Sequence, residues 1–254
     1  PRSPPGPDEV VVRLQTAALN RRDYWITEGM YPGLQLPAVL GSDGAGTVTD
    51  SGSESGKRWI GREVVINPGL SWGPDTTAQS ADFHILGMPT DGTFATEVVV
   101  PVQQLHSRPV HLNWQESAAL PLAGTTAWRT LFTQGRLKEG ETVLIQAGAS
   151  AVGLAAIQLA KRAGATVIAT ASSAEKLDRL REYGMDHGIN YKTQDLVAEA
   201  MRLTDNRGVD LVVDPVGGPT LQKSILALGY RGRVSTVGDA GREDALMDLS
   251  TLRA

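Results

Sequence analysis

The stretch Thr142–Gly164, TVLIQAGASAVGLAAIQLAKRAG, constrains this chain more than any other. Val143, Leu144 and Ile145 form an apolar run too short for a helix and bounded by turn residues, which reads as a buried strand. After Gln146 comes a run of small residues, Ala147 to Gly153, and then a helical apolar period from Leu154 to Ala163 closed by Gly164. Strand, small-residue turn and helix in that order leave bare amide N–H groups at a positively polarised helix end, a setting suited to a pyrophosphate. In the G-x-G-x-x-G frame, Gly148 and Gly153 take the first and third positions, and Ser150 stands at the second. Ala149, Ala151 and Val152 fill the frame and belong to the same candidate phosphate site. Serine is small enough for backbone to approach phosphate, and its hydroxyl offers a donor. The plain alternative is an ordinary strand–helix turn whose small residues serve packing.

A second apolar strand, Thr166–Ala171, follows the helix closely, as a βαβ unit requires. A site for NAD wants an acid at the end of that strand, about 20 residues past the first glycine, for the ribose 2′-hydroxyl. Ser172 and Ser173 stand there instead, with Lys176 one turn on and Glu175 the nearest acid. Two hydroxyls and a cation suit a 2′-phosphate, so the expected cofactor is NADP(H). Strands are expected at 143–147, 166–171, 187–190, 209–213 and 233–237, with helices near 151–163, 175–183, 194–203 and 219–228. That alternation predicts an α/β doubly wound parallel sheet, binding its ligand at the carboxyl ends of the strands.

The half before it reads differently. Pro1–Pro7 is an extended, proline-rich start. In Glu9–Ala18, Val10, Val12 and Leu14 alternate with Val11, Arg13 and Gln15, the pattern of a half-buried strand. Glycines and prolines punctuate the chain to about Pro109, suggesting a barrel-like β domain. Ser51–Lys57 reads as a surface hairpin, Trp114–Leu120 as a helix start and Ala123–Gly135 as one long helix. The boundary falls between residues 122 and 123, giving domains 1–122 and 123–254.

The composition of the 254 residues, 41% hydrophobic and 20% charged, is globular, and a net charge of −4 without a basic run gives nucleic acid no electrostatic footing. No segment approaches the roughly 18 apolar residues of a membrane span. The sequence holds no cysteine, which excludes disulfides and thiolate metal sites. The cytoplasm is the expected compartment.

The order of the two domains resembles the medium-chain dehydrogenase/reductase superfamily, with a GroES-like β-barrel domain before a Rossmann domain. Its zinc-independent, zeta-crystallin-like quinone oxidoreductase branch fits best. The resemblance rests on Ala17–Asp23 (AALNRRD), Pro37–Gly46 (PAVLGSDGAG), Asp91–Ala95 (DGTFA), Ala118–Pro121 (AALP), Gly124–Ala127 (GTTA) and the 143–164 unit, in order along nearly the whole chain. In the zinc branch the position of Asn20 is a cysteine ligand and Ser42-Asp43 is a His-Glu pair; neither stands here. His84, His106, His111 and His187 are scattered, so a metal-free site is expected.

The resemblance implies hydride transfer to a small quinone or α,β-unsaturated carbonyl, which spreads the incoming charge onto its own oxygen. It implies that Asn20 and Tyr24 lie at the substrate end, with Thr125 near the nicotinamide. Asn20 would donate to the developing enolate or to a ribose hydroxyl, and Asp43 would support it or pair with an arginine. It also implies Tyr191 beside the 2′-phosphate, and Val216, Val237 and Gly238 along the cofactor from the ends of the fourth and fifth strands. Two other readings stay open, a zinc-free alcohol or aldehyde dehydrogenase and a catalytically silent NADP(H)-binding sensor or scaffold. The family's sixth strand and C-terminal return segment have no counterpart expected here, and a homodimer is among the assemblies implied.

Overall fold

The computed structural model describes residues 4–245 and residue 248. Pro1–Ser3 of the proline-rich start lie outside them. The chain divides into two compact units, Pro1–Leu122 and Ala123–Ala254.

The first unit runs β1 (Glu9–Ala18), α1 (Arg21–Thr27), β2 (Asp43–Ser51), α2 (Glu54–Lys57), β3 (Glu63–Ile66), β4 (Gly69–Leu70), β5 (His84–Ile85), β6 (Glu97–Pro101), β7 (Leu105–Ser107) and α3 (Trp114–Ala118). Five strands pair antiparallel in the order β6-β1-β2-β3-β7, with β4-β5 as a separate ribbon. Val10, Val12, Val48, Val64, Ile66, Val98, Val100 and Leu105 meet in one core cluster, so one face of all five strands encloses a single interior. Gly46 lets β1 and β2 approach, since a Cβ there would lie 2.1 Å from the Arg13 carbonyl oxygen.

Two expectations fail here. Val11 is 0% exposed, although the alternation assigns it to the open face of a half-buried strand. The far face of this sheet is itself covered, because α3 packs on β1, β2 and β3, and Ala45, Val65 and Ala118 form a second small core there. The expected hairpin at 51–57 is instead the single turn α2. The Ser53 hydroxyl caps that turn by accepting the Gly56 N–H, and the Ser51 hydroxyl donates to the Ser53 carbonyl.

From the unit boundary onward the chain runs α4 (Pro121–Trp128), β8 (Thr142–Ile145), α5 (Ala151–Arg162), β9 (Thr166–Ala171), α6 (Ala174–Glu182), β10 (His187–Asn190), α7 (Leu196–Leu203), β11 (Val209–Asp214), α8 (Pro219–Leu226) and β12 (Leu228–Thr236). The helix expected over 123–135 is regular only to Trp128 and widens to a π turn over Arg129–Gln134, where the Gly135 N–H reaches the Thr130 carbonyl. The Thr130 hydroxyl bonds back to the carbonyls of Thr126 and Ala127, a local competitor of the regular ladder.

The five strands of the second unit are parallel, in the order β10-β9-β8-β11-β12. Val143 and Ile145 face a core with Ala156, Ile157 and Ala160 of α5, while Leu144 faces one with Leu196, Ala200 and Ala227. Apolar residues on both faces explain the unbroken apolar run of each strand. The order reverses between β8 and β11, which marks the switch point where such sheets take their ligands. β12 begins earlier than the expected 233–237, at Leu228, through an irregular register, and Val237 falls just after it.

Candidate functional site

In the second unit the sheet gathers residues by their place at strand ends. The turn after β8 is tight, with Ala147 at φ +50°. The left-handed position therefore falls on an alanine, one residue before the first glycine of the fingerprint frame. A Cβ on Gly153 would lie 2.4 Å from the Ala147 carbonyl oxygen and 2.7 Å from the Gly148 Cα, so only glycine lets α5 start this close to the turn. Gly148 is similarly enclosed by Leu180 and Ala169.

Ser150 is the N-cap of α5, and its hydroxyl oxygen accepts the Gly153 N–H at 3.0 Å. It thus satisfies one amide of the helix start, and its own O–H remains available as a donor. Ala149, Ser150 and Ala151 are exposed and Val152 is half-buried. Among the described residues no protein acceptor takes the N–H groups of Ala149, Ala151 or Val152. Solvent-facing amides at the start of a 12-residue helix fit a pyrophosphate.

At the end of β9, Ser172 precedes Ser173, the N-cap of α6, whose hydroxyl accepts the Lys176 N–H. The Lys176 ammonium donates to the Ser172 hydroxyl at 3.2 Å. The Tyr191 N–H bonds the Ala171 carbonyl, which brings the half-exposed Tyr191 to the same strand end. Val216 follows β11 and is half-buried. Val237 donates its N–H to the Asp214 carbonyl, and the exposed Gly238 follows at φ +73°. Asp214 itself is fully buried; its carboxylate accepts the N–H groups of Val216 and Gly217 and so shapes their turn. Thr125 lies exposed on α4.

In the first unit, Asn20 caps α1 and Tyr24 lies one turn along it. Asp23 accepts the Asn20 N–H. The Asn20 side-chain amide donates to Asp43 at 2.9 Å, and the other Asp43 oxygen accepts the Leu122 N–H, near the start of α4, at 2.8 Å. Burial pushes the Asp43 carboxyl up from 3.8 to about 6, with the Asn20 and Leu122 hydrogen bonds opposing the rise and Asp23 adding to it. The arginine pairing expected as one role for Asp43 is not what the fold uses. The buried Arg22 turns to Ser42 and to the carbonyls of Leu86 and Met88, with its guanidinium over the Tyr31 ring. Tyr24 is 48% exposed and packs its ring against Trp25 at 5.0 Å. Among the described residues no cluster of three or more His, Cys, Asp or Glu is placed to hold a metal ion.

The sequence matches two family models, the alcohol dehydrogenase GroES-like domain over residues 6–110 and the zinc-binding dehydrogenase over residues 151–253. A zinc-type alcohol dehydrogenase-like protein of Schizosaccharomyces pombe is 38% identical over 250 residues, covering 97% of this chain and 72% of that protein. The solved structure of an NAD-dependent alcohol dehydrogenase, 38% identical, superposes with a TM-score of 0.90 over all of this chain and 76% of its own. A quinone oxidoreductase of Pseudomonas syringae pv. Tomato DC3000, 29% identical, superposes with a TM-score of 0.82 over all of this chain and 72% of its own.

Proposed function

The chain belongs to the medium-chain dehydrogenase/reductase superfamily of oxidoreductases, which bind a nicotinamide dinucleotide, and from that premise we propose that it reduces a quinone or an α,β-unsaturated carbonyl with NADPH and without a metal ion. The cofactor supplies hydride. The unpaired amides of Ala149, Ala151 and Val152 hold its pyrophosphate, while Ser172, Ser173, Lys176 and Tyr191 hold the 2′-phosphate. Lys176 contributes the charge and the two serines the directional donors.

The observation that carries this reading is the Asn20–Asp43 pair. Where the zinc branch has ligands, an amide is held by a buried carboxylate, a donor set suited to orienting a hydrogen bond and not to a tetrahedral zinc. One N–H of Asn20 is committed to Asp43, and its second N–H is the donor left for oxygen charge on the acceptor. Asn20 therefore stabilises, and Asp43 orients it. Tyr24, on the same side of α1, offers its phenol from an exposed position.

The names of two relatives favour a second reading, alcohol or aldehyde dehydrogenation. One assay separates them. NADPH and NADH are titrated in turn, and absorbance at 340 nm is followed with a quinone and an enone; NADP⁺ is then offered with a primary alcohol. Turnover of the quinone or enone by NADPH, lost in Asn20→Ala, supports the proposal. Turnover of the alcohol alone supports the second reading, and cofactor binding without any turnover identifies a silent binder.

A further inference from the structure

Beneath the two turns that flank the switch point runs a line of buried polar side chains, three at or near the carboxyl ends of β8, β9 and β11 and one on α8. Thr170 is 1% exposed, Gln146 3%, and Ser224 and Asp214 0%. The Ala147 N–H donates to the Thr170 hydroxyl at 3.0 Å, which donates to the Gln146 side-chain carbonyl at 3.0 Å. The Gln146 amide donates to the Ser224 hydroxyl at 3.3 Å, and that hydroxyl donates to Asp214 at 2.8 Å. The second Asp214 oxygen accepts from Val216 and Gly217 at 2.9 and 3.0 Å.

Each hydroxyl has one proton, so the direction is forced. Thr170 already accepts from a backbone amide and must donate to the oxygen end of Gln146. Ser224 must spend its proton on the acceptor-only Asp214, so it faces the nitrogen end of Gln146. The amide of Gln146 has one orientation that satisfies both neighbours, and every bond of the line points toward Asp214. Such lines polarise one another and hold their ends as a unit. One end is the left-handed Ala147 that opens the glycine-rich turn; the other is the turn at Val216 and Gly217, where φ is +71° at Gly217.

We propose that Thr170, Gln146 and Ser224 are positioning residues for the dinucleotide: through Asp214 they set the glycine-rich turn and the β11–α8 turn in one fixed relation, so that the pyrophosphate and a second part of an extended ligand meet a pre-arranged backbone. The proposal rests on the dinucleotide reading above. None of the three touches the ligand. Their effect is on a molecule that spans both turns, and it spares one that reaches only the end of β9.

Thr170→Val removes the hydroxyl at constant shape, Thr170→Ser retains it, and Ser224→Ala cuts the line at its other half. Binding of NADPH and of 2′-AMP, which carries the adenosine and its 2′-phosphate without a 5′-phosphate, is titrated for each. Thr170→Val and Ser224→Ala are expected to weaken NADPH about tenfold, ~1.4 kcal/mol, and to change 2′-AMP less than about twofold; Thr170→Ser restores NADPH. The double variant is expected to lose little more than either single one, because both cut the same line. Unchanged NADPH binding in both single variants, equal weakening of both ligands, or additive losses in the double variant overturns the proposal. A wild-type chain that binds NADH and adenosine in their place refutes only the 2′-phosphate assignment, and the same comparison is then made with that pair. A wild-type chain that binds none of the four refutes the dinucleotide reading, and this proposal with it.

Discussion

Asp43→Asn is the substitution whose outcome is most tightly bound to the structure. Asp43 is 1% exposed, and its carboxyl lies at about 6 in the fold against 3.8 in an unfolded chain. A raised folded value means that the native state holds the proton more firmly than the unfolded state does. The associated stability is complete below about 3.8 and is lost as pH rises through about 6. The shift is about two units, and at about 1.4 kcal/mol each the ionised carboxylate costs the fold ~3 kcal/mol at neutral pH. That figure already sets the Asn20 and Leu122 hydrogen bonds against burial. Asparagine has the same shape and never ionises, and its oxygen can still accept the Leu122 N–H. The stability of Asp43→Asn relative to the wild type should therefore rise by ~3 kcal/mol between pH 4 and pH 8, read as the difference of urea unfolding curves across that range. Turnover should fall, since an amide at position 43 cannot hold the Asn20 amide in its present orientation as a carboxylate does. A relative stability that stays flat with pH would show that Asp43 is not a buried ionised group, and the electrostatic account of this site would fail.

The cofactor site admits sharper substitutions. Lys176→Glu should weaken NADPH about tenfold or more and leave NADH within about twofold, measured by titration, because a carboxylate would then face the 2′-phosphate. Gly153→Ala should destabilise by ~2 kcal/mol or more and abolish NADPH binding, since its Cβ meets backbone atoms at 2.4 and 2.7 Å that cannot move independently. Ala147→Gly should be neutral or raise stability by up to ~1 kcal/mol in thermal unfolding, the relief of a left-handed alanine being partly offset by a freer unfolded chain.

How far these features can be read in the sequence depends on whether they are periodic. The βαβ register from Thr142 to Asn190 is legible because a strand buried on both faces leaves a continuous apolar run, and Val143–Ile145 and Thr166–Ala171 are such runs. Ser172, Ser173 and Tyr191 gather at one edge because a parallel sheet sends every strand end there, and their service to a cofactor stays a proposal. Val11 is misread because alternation reports only the near face of a sheet, and the cover on the far face comes from α3, about a hundred residues away. The hairpin at 51–57 is misread because serine and glycine mark turns of many kinds, and the cap on Gly56 depends on a side-chain bond that no pattern encodes. Gln146, Thr170, Ser224 and Asp214 have no common spacing: three fall at or near the ends of different strands and Ser224 on α8, so no single pattern joins them.

The two units store their strain in different forms. In the second it lies in the backbone, at the left-handed Ala147, and a fully hydrogen-bonded line of side chains holds that turn and the turn at Val216 and Gly217 in place. In the first it is electrostatic, a carboxylate buried beside a second acid with neutral donors alone bonded to its side chain. A neutral residue of similar shape would fold as well or better at position 43, so folding alone gives no reason for a charge there. A charge at Asp43 does what a neutral group cannot: as an acceptor-only partner it forces the nitrogen end of the Asn20 amide toward itself, which decides which atoms of Asn20 are left to meet a reacting oxygen. Unfavourable energy concentrated at the two places where hydride donor and acceptor are proposed to be held is what a fold selected for chemistry, and not for stability alone, should display.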